Sequence, residues 1–68
     1  MVIHIRDEFI KLGQAMKLAD LVSDSVEAKY VISDGLVKVN GEVDVRRGRK
    51  VYEGDVVSYD GKEIKVIR

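Results

Sequence analysis

Polar and apolar residues alternate most cleanly between Val37 and Val45. Val37 and Val39 flank Lys38 and are followed by Asn40, and Val43 and Val45 then alternate with Glu42 and Asp44. A period of two sends successive side chains to opposite faces, so this stretch predicts two strands, each with one half-buried face. Asn40-Gly41 stands between them. Both residues tolerate the positive φ of a type I′ turn, which closes the pair into a hairpin.

Upstream the period lengthens. Leu12, Ala15, Met16, Ala19 and Val22 recur three or four apart, a stripe that predicts a helix over 11–22, widened by Leu18 and Leu21. Lys11, Gln14 and Lys17 share its other side at three-residue spacing. Gly13 costs helix stability relative to alanine, so it marks a close approach, by packing or by a ligand. Ser23-Asp24-Ser25 interrupts the pattern. Asp24 with Glu27 resembles a capping box, with Ser25 as the other candidate cap. A second helix is expected over 26–34, with Ala28, Val31 and Ile32 apolar, Tyr30 at the margin and Lys29 on the flank; Gly35 suits the left-handed residue that ends many helices. Two helices joined by so few residues form a bent pair.

The flanks read as strands. Val2–Arg6 alternates weakly, with Ile3 and Ile5 on one face, and Phe9-Ile10 reads as an apolar pair anchoring the approach to the first helix. After the hairpin come Val51-Tyr52, a turn at Glu53-Gly54-Asp55, a strand with Val56, Val57 and Tyr59, a second hairpin signal at Asp60-Gly61, and a closing strand with Ile64 and Val66 in one phase. A strand, two helices and then antiparallel strands make an α+β class, with two short helices packed against a small, mostly antiparallel sheet.

Composition narrows the function classes. Sixty-eight residues make one domain with a modest core, and with no cysteine neither a disulfide nor a thiolate metal site can supplement it. No signal-peptide pattern and no run of transmembrane length is visible, so no membrane role is expected. Formal net charge is zero, yet residues 1–34 carry four basic and six acidic side chains, and residues 35–68 carry eight and six. Most of that excess is the run Arg46-Arg47-Gly48-Arg49-Lys50, a local patch of the kind that meets phosphate. His4 is the single histidine, without partners for a metal site; the serines have no histidine at a suggestive spacing; and the basic run lacks the glycine framework of a phosphate-binding P-loop. No active site assembles, so neither an enzyme nor a cofactor is expected.

The motifs together resemble a known family. Gly35-Leu36-Val37-Lys38-Val39-Asn40-Gly41 matches the G-x-V-x-V-N-G signature of the S-four-type RNA-binding domain, or alpha-L motif, and Gly54-Asp55-Val56-Val57 resembles its closing glycine-aspartate turn and strand. Lys11-Leu12-Gly13 lies where that family usually has arginine-leucine-aspartate, and Glu27-Ala28-Lys29 resembles its second helix. The resemblance covers residues 9–59 and is closest to the small stand-alone bacterial members, the YaaA-like and YbcJ-like proteins.

That resemblance implies a cytoplasmic, non-catalytic RNA-binding protein that recognises structured ribosomal RNA and acts in assembly of the large subunit. Residues 1–68 would then be a single such domain, with RNA or a pre-ribosomal particle as partner. Lys11, Lys17 and Lys29 on the bent helix pair are expected to meet phosphates as point charges. Arg46, Arg47, Arg49 and Lys50 form the second contact, where arginine suits bidentate phosphate binding, and Lys38 is a weaker candidate. The family often has arginine where Ser25 stands, and Asp24 beside it adds negative charge. The alternative is a protein-interaction module docking on a ribosomal protein or assembly factor, favoured by the acidic first half.

Overall fold

The structure, a computed structural model, describes residues 1–68. Its elements in order are β1 (Val2–His4), β2 (Phe9–Lys11), α1 (Leu12–Leu18), α2 (Ser25–Ser33), β3 (Val37–Val39), β4 (Glu42–Val43), β5 (Lys50–Tyr52), β6 (Val56–Tyr59) and β7 (Lys62–Ile67). Five strands form one sheet in the order β1-β7-β6-β3-β4, antiparallel except for β1, which runs parallel to β7 with Ile3 opposite Val66. β2 and β5 pair antiparallel in a separate two-stranded ribbon. The α+β arrangement expected from the sequence is the one observed.

Period-two spacing sends Val37 and Val39, Val57, and Ile64 with Val66 into one core, where they meet Leu12, Ala15, Met16, Ala28 and Ile32 from the helices. Every buried residue in this core is apolar. Both hairpin turns have the expected geometry, with φ of 53° and 85° at Asn40-Gly41 and of 52° and 75° at Asp60-Gly61.

The helices depart from the expectation in length. α1 stops at Leu18, short of the expected end at Val22. Asp20 takes the left-handed conformation (φ 63°), while Asp20 N–H donates to Lys17 O and Leu21 N–H to Met16 O, the paired bonds of a Schellman ending. The same ending closes α2, where Gly35 (φ 78°) and Leu36 donate to Ile32 O and Val31 O. Glycine advertised the second ending; aspartate, which tolerates this conformation less readily, hid the first. Ala19 and Val22 are still buried, because the turn folds back over the core. At the start of α2 the Asp24 carboxylate accepts from Glu27 N–H at 2.9 Å, as expected, and Glu27 reaches back to Ser23 N–H.

Three local expectations are corrected. Phe9-Ile10 belongs to a strand, β2, because β5 supplies its hydrogen-bonding partner from the other half of the chain. The return strand of the first hairpin is only Glu42–Val43, and Val43 and Val45 are exposed at 53% and 56%. The phase is inverted there because Asp44, not a valine, turns inward. Tyr30, expected to pack at the helix margin, is 60% exposed.

Candidate nucleic-acid interface

The two motifs that carry the family resemblance meet in space. Asn40 Oδ1 accepts from Val56 N–H at 2.9 Å and Asn40 Nδ2 donates to Asp55 Oδ1 at 3.0 Å, while Asp55 Oδ2 accepts from Tyr52 N–H at 2.8 Å. Asn40 therefore both makes the hairpin turn and ties it to the start of β6. This bracket joins the turn before β4 to the turn after β5.

That loop holds the basic run, and it is rigidly attached to α1. The first N–H groups of a helix have no intrahelical partner, and Lys11 at the N-cap offers no side-chain acceptor for them. Loop carbonyls fill the gap: Leu12 N–H donates to Arg49 O at 2.8 Å and Gly13 N–H to Arg47 O at 3.1 Å. Gly13 also resolves the choice left open by the sequence. A Cβ there would lie 2.8 Å from Arg47 Cγ, so the missing side chain makes room for Arg47 to cross the helix.

Asp44 organises the rest of the loop. Its carboxylate accepts from Arg46 N–H at 2.9 Å, from Arg46 Nε and Nη2 at 3.1 and 2.9 Å, and from Arg49 Nε at 2.8 Å. The side chain is only 11% exposed. The hydrogen bond from Arg46 holds the Asp44 carboxyl below its ordinary range, against burial, and raises the Arg46 guanidinium in turn. One carboxylate thus pairs with two of the four loop cations and cancels one of their charges. Arg49 is committed further: its side chain is largely covered, and its Nη1 is enclosed without a hydrogen-bond partner.

The remaining cations sort by position. Lys11, Lys17 and Arg47 line one open groove of about 410 Å³ between α1, the start of α2 and the loop, together with Gln14, Ser25 and Gly48. No carboxylate lines it, although the chain has twelve. Asp24, next to Ser25, caps α2 and does not line the groove. Lys29 does not line the groove; it is exposed one turn beyond Ser25 on α2. Lys50 packs over the Phe9 ring, its Nζ 4.9 Å from the centroid. Lys38 alternates with the buried Val37 and Val39 and so projects from the outer face of the sheet, opposite Val43 and Ser58 and away from the helices.

Of the eight cations proposed from the sequence, the fold gathers three, ties Arg46 and Arg49 to Asp44, holds Lys50 nearby on an aromatic ring, and leaves Lys29 and Lys38 outside. Sequence reasoning missed Asp44, placing it in a strand alternation. The available signal was a lone acid two and five residues before arginines. It also missed the Asn40–Asp55 bond, which no local spacing announces.

Comparison with known proteins gives four concordant results. A family model described as S4 domain matches residues 3–67. The chain is 51% identical over 59 residues to the probable ribosome maturation protein RlbA of Bacillus subtilis, covering 87% of this chain and 83% of that one. It is 33% identical over 58 residues to the putative RNA-binding protein YbcJ of Escherichia coli, covering 85% and 83%. The solution structure of YbcJ, described as revealing an alpha-L motif involved in RNA-binding, superposes with a TM-score of 0.76 at 28% identity, over 98% of this chain and 86% of that one.

Proposed function

The chain belongs to the S4 domain family, and on that footing we propose that it is an RNA-binding protein without catalysis of its own. Residues 1–68 act as one domain that recognises structured ribosomal RNA in the cytoplasm and takes part in assembly of the large ribosomal subunit. The observation that carries this reading is the carboxylate-free groove where Lys11, Lys17 and Arg47 converge in a protein of zero net charge. Three cations, from β2, α1 and the loop, with Gln14 and Ser25 in the same groove, suit consecutive phosphates along a folded backbone better than a single anion. The similarity to a protein named for ribosome maturation supports the ribosomal context.

One observation favours the rival reading of a protein-docking module. Leu36, Val43 and Val45 are all more than half exposed, and Val43 lies against Gly35 beside Leu36 at the β4 edge of the sheet. This patch is separate from the groove, so the two readings make different predictions.

The test is binding of the purified protein to naked ribosomal RNA across a salt titration, beside the variant Lys11→Ala/Lys17→Ala/Arg47→Ala. Each phosphate that the protein no longer neutralises flattens the slope of log K against log salt by about 0.7–0.9, so the variant's slope should be shallower by about 2–3. Equal slopes for a folded variant would remove the groove from the interface. Binding confined to immature particles, and abolished by Val43→Asp, would transfer the weight to a protein partner.

A further inference from the structure

A second groove adjoins the first and has the opposite chemistry. It measures about 440 Å³, shares Lys11 and Gln14 with the first, and is walled by Ile5, Phe9, Ile10 and Leu18. Leu18 is the last residue of α1, follows Lys17 directly, and is 58% exposed, so this leucine contributes little to the protein's own core. The Phe9 wall is fixed in place by Lys50 above its ring and by Tyr52, whose ring centroid lies 5.9 Å away at a tilt of 52°. His4, Arg6 and Asp7 form the far rim.

The two grooves make one trough, cationic at one end and apolar at the other, with Lys11 and Gln14 at the junction. A nucleotide has the same division: an anion, then a flat ring with a polar edge. A paired strand presents its phosphates but keeps its bases stacked inside the helix, so an apolar wall beside a phosphate site is of use only to a base that has left the stack. The Gln14 amide offers a donor and an acceptor to such a ring, and His4 adds ring nitrogens. Asp7 offsets Arg6 on that rim, so the net positive charge lies at the Lys11, Lys17 and Arg47 end, which orients the nucleotide.

We propose that this second groove receives one unpaired nucleobase of the bound RNA, its phosphate lying at Lys11 in the first groove. The inference rests on the RNA-binding reading above and narrows its substrate class to RNA with a bulged or looped-out nucleotide.

The test uses fluorescence anisotropy with three synthetic RNA duplexes of one sequence: fully paired, with a single bulged adenosine, and with an abasic bulge at the same place. The bulged adenosine should tighten binding about tenfold, within what stacking of one base contributes, while the abasic bulge should bind like the paired duplex. Leu18→Gln, at an exposed position, should erase the preference and leave affinity for the paired duplex unchanged. If all three RNAs bind alike with steep salt dependence, or the abasic bulge binds as tightly as the adenosine, the base site is refuted and the phosphate reading survives. If neither these RNAs nor naked ribosomal RNA binds, both readings fail.

Discussion

Gly13→Ala separates stability from function in this protein. Alanine raises helix propensity by up to about 1 kcal/mol in a helix interior, and by less in a first turn such as this one. Against that gain, the new Cβ would lie 2.8 Å from Arg47 Cγ, and Arg47 must turn about its first side-chain bond or draw its loop back. Leaving a favoured rotamer costs about 0.5–1.5 kcal/mol. The two effects partly cancel, so stability should fall by no more than about 1.5 kcal/mol or rise by no more than about 0.5 kcal/mol. The guanidinium is different. It sits at the far end of the side chain, so a rotation at the base sweeps it out of the groove it shares with Lys11 and Lys17.

Removing one charge-assisted hydrogen bond of about 1.5–3 kcal/mol weakens RNA binding about tenfold or more and flattens the salt slope by about 0.7–0.9. Urea unfolding followed by circular dichroism reads the first effect, and anisotropy with ribosomal RNA across salt reads the second. Arg47→Ala should reproduce the weaker binding, and the double variant should bind no worse than Arg47→Ala alone. Wild-type affinity in a stable Gly13→Ala protein would refute the claim that this glycine delivers Arg47. A drop of several kcal/mol in stability would show that the loop cannot yield.

Asp44→Ala raises the net charge by one, which by simple electrostatics would strengthen RNA binding. We expect weaker binding in anisotropy instead, by a few-fold, because Arg46 and Arg49 lose the carboxylate that shapes the loop. The folded-state pKa of Asp44 is depressed, so its stabilisation is fully present above its unfolded value, near 3.8, and is lost as pH falls through the lower folded value. The stability gap between wild type and Asp44→Ala should therefore be constant near neutrality and close only in strong acid, as read by urea melts at several pH values. Asp24→Ala removes the cap of α2 and should cost about 1 kcal/mol in the same melts, with no loss of RNA affinity, since that carboxylate does not line the groove. Ile64→Ala, at a fully buried position, should cost about 2–5 kcal/mol and serves as the control for global destabilisation.

The elements and most of the core were legible along the chain. Leu12, Ala15, Met16, Ala28, Ile32, Val37, Val39 and Val57 are buried because their spacing matches the period of the backbone that carries them. Asn40-Gly41, Asp60-Gly61 and Gly35 mark their turns for a local reason too: backbone sterics at single residues. Family membership was visible in the same way, through motifs short enough to read in order.

How the cations divide was settled by the folded arrangement alone. Arg46, Arg47, Arg49 and Lys50 look equivalent along the chain, yet one carboxylate claims the first and third, a phenylalanine ring holds the last, and the missing Cβ of Gly13, in the first turn of α1, admits Arg47 to the groove. The β2–β5 ribbon that makes these meetings possible joins segments remote in sequence. Periodicity reports which face of its own element a residue occupies. Charge pairing and close approach depend on distances between elements, and those distances exist only once the chain has folded.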